Sequence, residues 1–551
     1  MLRKPTTSII WPAGTLLIAV PVSLPILMLL AAALAPGNES WAHMRDTVFP
    51  VYLANTVQLM IVVAALSTVI GVLTAWLTVH YDFPLRRMLV PALALPLAAP
   101  AYVIGYVYAD LLEFSGPVQI ALRDWLQLSP QVAVLPNIRS LPGAGLVISL
   151  VLYPYVYLLA RGSFTQQSST LYDAARALGA SRSRVFWRVA LPVAWPAVAG
   201  GLALVLMETV ADYGVVEHYG VPTLTTGIFR TWFAMGETAA ALQLAGWLFV
   251  VVCLLVVAEQ FARRGQRFNP ISRQRQSSRT VLRGWSGWLA FALCFMPVAL
   301  GLIVPIAALT SMALSDGETP LSPAFLALVL NSAWVAGVAA LLCAGGALWL
   351  AYAERLRPTR WIRGSVRVAT LGYAIPGLVL AVALMVPLIS VDKWLATLLR
   401  DYFDVHWGLL ITGSSAVLIF VYVARFLTVA FNSTQAGLTQ IHPQLDAAAR
   451  SLGRTPGGVL RRVHLPLLRP AVLTGVLLVF IDVMKELPAT LILRPFNFET
   501  LATWVYRFAS DERLAQASTA ALTIVVVSLV PTYLLSRLRS CAVCGCSVER
   551  I

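Results

Sequence analysis

Two stretches, Leu171-Tyr-Asp-Ala-Ala-Arg-Ala-Leu-Gly179 and Leu445-Asp-Ala-Ala-Ala-Arg-Ser-Leu-Gly453, carry one pattern at an offset of 274 residues. The register continues through Arg188 and Arg462, Val189 and Val463, Leu191-Pro192 and Leu465-Pro466, Pro196 and Pro470, and Gly201 and Gly475. Further on it pairs Glu208 with Asp482, Asp212 with Glu486 and Thr226 with Thr500. A repeat of this length means one architecture built twice. It divides the chain into residues 1–262, a polar linker 263–284 and residues 285–551.

Around this repeat the 551-residue chain is apolar: 59% hydrophobic, 12% charged, mean hydropathy +0.78. A soluble domain, a disordered chain and a secreted disulfide scaffold are excluded by those values. Spanning-length apolar runs fall at 9–34, 53–79, 88–112, 143–160, 193–215, 239–261, 285–313, 323–353, 368–390, 408–427, 468–489 and 515–536. The fold class is therefore an all-α polytopic membrane protein, twelve spans in two tandem six-helix repeats related by a pseudo-two-fold along the membrane normal. The first run exceeds a signal-peptide core of about 7–15 residues, so it is expected to be retained as a span.

With the N-terminus inside and the spans alternating, 30 of the 40 Lys and Arg residues fall in inside segments and nine outside. This positive-inside bias makes both termini cytoplasmic. The net charge of +15 thus marks inside loops and anionic lipid, not a nucleic-acid partner. None of the three lysines, Lys4, Lys393 and Lys485, stands in a Gly-Lys-Ser/Thr phosphate loop, so ATP, if used, is bound by another chain.

The repeated segment lies on the inside, between the fourth and fifth spans of each half. It reads as two short helices. Gly179 and Gly453 suit the left-handed position that ends the first. Ser181 and Thr455 suit the N-cap of the second, with Pro456 at its first turn. Leu191-Pro192 and Leu465-Pro466 then open the following span.

These two segments resemble the EAA loop of ABC importer permeases: Asp/Glu-Ala-Ala, three residues, Gly, and Leu-Pro ending thirteen residues after that Gly. Both copies fit the spacing, over 171–192 and 445–466. The resemblance implies two copies of a cytoplasmic ATPase that bind ATP and Mg and grip these loops. It also implies a periplasmic solute-binding protein, residence in the bacterial inner membrane, and a transport subunit that is not itself an enzyme. Carried onto this sequence, the coupling residues are Asp173, Ala174, Ala175, Gly179, Leu191 and Pro192, then Asp446, Ala448, Ala449, Gly453, Leu465 and Pro466. Small alanines permit close approach. The second copy departs at one place: Ala447 stands opposite Asp173, with the acid one residue earlier at Asp446.

Glu208 and Asp212 are four apart, on one helix face, and Asp482 and Glu486 repeat them. Glu208 lies about 24 Å along a helix from Pro192, in the outer part of the membrane. Carboxylates at that depth face a polar cavity or a partner. They either pair with Lys485 and one another, or line an acidic vestibule that meets a cation. Hard cations prefer such oxygens. Met207-Glu-Thr-Val-Ala-Asp-Tyr-Gly214 and Val483 to Thr503 look like the fused permease of ferric-iron ABC importers, over nearly the whole chain. Fused thiamine, polyamine and phosphonate permeases share the architecture. An ion-coupled secondary transporter also uses twelve spans, and the EAA loops speak against it.

Other residues read as structural. Cys253, Cys294 and Cys343 sit in apolar runs as core, and Cys541, Cys544 and Cys546 make half a metal site at best. The six histidines show no ligand spacing, and Trp41, Trp407 and Trp504 suit interfacial anchoring. Tyr213 has the chemistry of a phenolate iron ligand but reads as packing.

Overall fold

A computed structural model of the chain describes residues 10–263, 279–319, 322–404 and 410–544. The side chains of Cys541 and Cys544, together with Cys546, Trp407 and His406, lie outside the described residues, as does most of the linker.

Among the described residues ten helices are long and apolar enough to cross a membrane: Ile10–Leu34, Phe49–His80, Leu141–Gln166, Arg182–Ala211, Thr238–Ala262, Trp285–Ser315, Pro323–Leu356, Gly377–Tyr402, Ser415–Thr439 and Pro456–Met484. An eleventh forms if Arg86–Ala98 and Ala101–Leu126, bent by 92°, count as one. The last expected span contains a shorter apolar helix, Leu514–Leu529.

The bend corrects the expectation of one straight span over 88–112. Pro91, Pro96 and Pro100 crowd this segment, and Ala99 and Pro100 are extended. Proline removes a helix donor, clashes one turn back and pushes its predecessor out of the helical region. The spans expected at 368–390 and 408–427 also move. The first begins only after Pro376 and runs to Phe403; the next is Ser415–Thr439. Apolar composition ends the first early because Asp392 looks like a boundary. Instead Asp392 is buried and accepts the amides of Ile411 (2.8 Å) and Thr412 (2.7 Å) and the Thr412 hydroxyl (2.6 Å). A buried carboxylate with three donors is tolerated inside a helix.

The chain forms two compact units, each drawing on both sequence halves. One gathers residues up to Ala42, Ile228–Phe249 and Leu321–Trp504. Within it the helices Pro323–Leu356, Ser415–Thr439 and Leu465–Met484 pack together. A Cβ on Gly475 would stand 3.2 Å from Ala430 Cα, so glycine sets the approach of two of these helices. The first helix joins this unit through Trp11, which packs on Trp349 (4.5 Å between ring centroids) and on Tyr352 (5.1 Å).

The other unit holds His43–Gly227, Val250–Pro320 and the chain from Val505. Its centre is Phe49–His80 against Leu141–Gln166 and Leu191–Ala211. Val156 is the shared contact: Cβ atoms on Gly71 and Gly201 would fall 2.7 Å from Val156 Cβ and 2.8 Å from Val156 Cα. Without a hydrophobic drive between helices in lipid, such close packing holds the bundle.

Candidate functional site

The first elbow begins with helix Ser169–Ala177. It ends as its residues dictate. Gly179 has φ +81°, and Ala180 donates back to Ala175 O (3.1 Å) and Gly179 to Arg176 O (2.9 Å), a Schellman-type stop. Nothing lies within 4 Å of a Cβ on Gly179, so conformation, not space, requires glycine there. Ser181 caps the next helix by accepting the Arg184 amide (3.4 Å). Asp173 and Ala174 are exposed, and Ala175 is half-buried.

The second elbow, Pro443–Ser451, repeats this stop at Gly453 (φ +77°), where Arg454 donates to Ala449 O (3.2 Å). Thr455 caps with its side chain on the Gly458 amide (3.3 Å). Ala448 is exposed; Ala449 is buried.

The second short helix of each elbow is not separate from the span, which is a correction to the two-helix reading. Arg182–Val185 and Pro456–Val459 run through π turns, Phe186–Ala190 and Leu460–His464, directly into Leu191–Ala211 and Leu465–Met484. A third π turn, Ala299–Ile303, precedes Val304-Pro305. In all three the residue before proline donates to a carbonyl five residues back. Proline's ring would clash with the carbonyl four back, and one extra residue in the turn removes the clash.

The elbows are fastened differently. Asp446 turns inward: its Oδ2 accepts Arg355 Nε (2.8 Å), its Oδ1 meets His464 Nε2, and Arg355 also donates to Leu438 O (2.6 Å) and Ile441 O (2.9 Å). In the first elbow Tyr172, in the register of Asp446, is buried and donates to Gln167 Oε1. Tyr172 packs among Trp76 and His80, and Gln167 donates to Ala190 O (3.1 Å).

The four acids sit at the far end of the same two helices. Glu208, Asp212 and Asp482 are half-buried, and Glu486 is buried. Asp482 pairs with Lys485 at 3.0 Å. Glu486 is neutralised: Oε1 accepts Arg425 (2.8 Å) and the Ala489 amide (3.2 Å), and Oε2 accepts the Thr490 amide (3.2 Å) and hydroxyl (2.9 Å). Asp212 Oδ1 accepts the amides of Val215 (3.1 Å) and Val216 (3.3 Å). Asp212 and Glu486 thus do one local job, closing the N-terminus of the short helices Gly214–His218 and Pro488–Leu493. Among the described residues Asp212 has no ion-pair partner, because the register of Arg425 is held by Val151.

Phenols gather beside Asp212. The Tyr213 and Tyr506 hydroxyls are 3.1 Å apart. Burial pushes the Tyr506 phenol up, as does the neighbouring Glu217, and burial lowers the His218 imidazole to about 4.

The repeat register also needs correcting. Thr223 N donates to Thr226 Oγ1 (2.8 Å), and Thr500 N donates to Thr503 Oγ1 (3.0 Å). Leu224 N donates to Thr56 Oγ1 (3.0 Å), and Leu501 N to Ser332 Oγ (2.8 Å). The counterpart of Thr226 is Thr503, not Thr500. Three residues are inserted between Glu486 and Thr500, in a loop where length is cheap.

Sequence reasoning missed Leu178 and Leu452, 90% and 81% exposed at matched positions just before the elbow glycines. Their signal was available, a leucine immediately before the turn glycine in both copies. Arg355 and Arg425 left no such signal, because their partners are 91 and 61 residues away.

Each repeat thus presents a helical elbow with an exposed apolar tip that runs without a break into a membrane-length helix. The chain belongs to the binding-protein-dependent transport system inner membrane component family, which matches residues 67–264 and 340–539. It is thus a multi-pass inner-membrane transport subunit of an ABC importer, non-catalytic, and its family works with an ATPase and a binding protein. It is 27% identical over 533 residues to the Fe(3+)-transport system permease protein FbpB 2 of Haemophilus influenzae, covering 95% of this chain and 97% of that one. The molybdenum transport system permease protein ModB of Escherichia coli is 27% identical over 37% of this chain and 86% of its own. The sulfate transport system permease protein CysT of Synechococcus elongatus is 30% identical over 37% of this chain and 70% of its own.

Proposed function

We propose that this permease moves ferric iron from a periplasmic binding protein into the cytoplasm, driven by two copies of a cytoplasmic ATPase. The similarity to a ferric permease over 95% of the chain carries the cargo reading; the molybdenum and sulfate permeases match only 37% of it. In this reading twelve spans cross the membrane, with Leu514–Leu529 in the last, and both termini face the cytoplasm. The two sequence halves, 1–262 and 285–551, are the two permease repeats. The elbows at Asp173–Pro192 and Asp446–Pro466 dock into the ATPases through Leu178 and Leu452, with Ala174, Ala175, Ala448 and Ala449 allowing close approach. ATP closes the ATPase pair, the elbows follow, and the continuous helices carry the motion to the acids at their far ends. Glu208, Asp212 and Asp482 line the cation path. Glu486, already paired with Arg425, holds its loop in shape.

The test is uptake into proteoliposomes holding permease and ATPase, with binding protein outside. Ferric uptake that requires internal ATP, and is unaffected by excess molybdate or sulfate, is expected. Uptake driven by an ion gradient without ATP, or transport of the oxyanions in place of iron, would overturn the reading. Glu208→Gln with Asp482→Asn should lower ferric uptake while the complex still assembles; normal uptake would make those acids structural.

A further inference from the structure

Tyr213, Glu217, Tyr102 and Tyr106 have no counterpart of like chemistry in the second sequence half, which itself supplies Tyr506. Tyr213 and Glu217 fall in register with Leu487 and Leu491. Tyr102 and Tyr106 lie two and six residues past Pro100; the same steps past Pro376 reach Leu378 and Val382. One unit therefore closes this region with apolar side chains and a neutralised Glu486, and the other fills it with hard oxygen donors.

Their arrangement is compact. The Tyr213 and Tyr506 hydroxyl oxygens are 3.1 Å apart, with ring centroids at 5.9 Å. Tyr106 packs on Tyr102 (5.7 Å) and edge-on to His218 (4.7 Å). Tyr106 is 2% exposed, and its hydroxyl has no hydrogen-bond partner among the described residues. It lies within electrostatic reach of Tyr506, Tyr102, Asp212 and Glu217. A buried orphan hydroxyl costs free energy unless something completes it. Asp212 Oδ2 lies outside the amide bonds that its Oδ1 accepts. Arg139, which also reaches His218 electrostatically, is occupied by Glu113 (3.2 Å) and Glu512 (3.3 Å).

We infer that Tyr213, Tyr506 and Tyr106, with the carboxylates of Glu217 and Asp212, form a transient station for a hard trivalent cation, ferric iron on the cargo reading above. Octahedral bonds of about 2.0 Å set neighbouring ligand oxygens about 2.8 Å apart, close to the Tyr213–Tyr506 spacing. Each phenol that ligates exchanges its O–H bond for an O–metal bond and releases one proton to water; no electron moves.

The experiment titrates ferric nitrilotriacetate into the full-length permease with its ATPase in lipid nanodiscs, following bound iron and the visible phenolate-to-iron charge-transfer band. The unaltered complex should show the band. Tyr213→Phe with Tyr506→Phe should abolish it and weaken ferric binding by about tenfold or more, and Tyr106→Phe should shift it. Each substitution removes one oxygen and keeps the ring, and copurification of the ATPase confirms assembly. No band in the unaltered complex, or an undiminished band in the double variant, overturns the station. Ferric uptake at the unaltered rate in the double variant also overturns it and leaves the cargo reading intact. Failure of the unaltered importer to take up ferric iron refutes the cargo reading, and the station falls with it.

Discussion

Arg425 and Glu486 are both buried and meet at 2.8 Å. Neither is stable alone in that setting: breaking such a pair leaves an uncompensated charge and costs about 3–5 kcal/mol. Arg425→Ala should therefore lower the thermal midpoint of the purified permease sharply, and adding Glu486→Gln should recover much of the loss. An unchanged midpoint in Arg425→Ala would show that the pair holds nothing. The elbow glycines make a different residue-scale argument. At φ +81° and +77°, with open space where a Cβ would go, Gly179 and Gly453 are needed for backbone angle alone. A side chain there costs about 1–2 kcal/mol. Gly179→Val and Gly453→Val should weaken copurification of the ATPase while the spans stay inserted. Leu178→Ser should do the same without backbone strain, which separates tip chemistry from elbow shape. These glycines were legible in the sequence because chirality is a local property. Arg425 was not, because its partner is 61 residues away.

At the scale of the element, the π turns before Leu191-Pro192 and Leu465-Pro466 link elbow to span without a break. Each inserts one residue into the helix, and one residue turns a helix by about 100°. Pro192→Ala or Pro466→Ala removes the clash that the wider turn relieves. The turn should relax to an α-helix and rotate its elbow relative to the span. The expected readout is ATPase activity that no longer responds to loaded binding protein, with the complex still assembled; full stimulation would show the turn is not part of the linkage. The repeated Leu-Pro was plain in the sequence, but its meaning inverted. It read as a helix start because proline favours the first turn. The preceding caps at Ser181 and Thr455 had already started the helix, so proline fell inside it and forced the wider turn. Span ends shifted for a related reason. Hydropathy sees composition, whereas Asp392 stays inside its helix through three donors supplied by residues 411 and 412.

Across the whole molecule, the two-repeat membrane architecture followed from apolar length and the repeat, since about 20 apolar residues have few stable places outside a bilayer. Orientation is the remaining test at this scale. Reporters fused to both termini, and protease cleavage in the 263–284 linker, should report the cytoplasmic side; one terminus outside would contradict the count of 30 basic residues inside. The sequence by itself determined the apolar spans, the internal repeat, the elbow glycines and the acids, all of them local patterns or periodicities. Only the tertiary structure decided what each acid is paired with, how the repeat register slips by three, and how the compact units draw chain from both halves. Those depend on partners far apart in the chain: Arg425 silences Glu486, Arg355 draws Asp446 inward, and Tyr506 reaches Tyr213 across 293 residues.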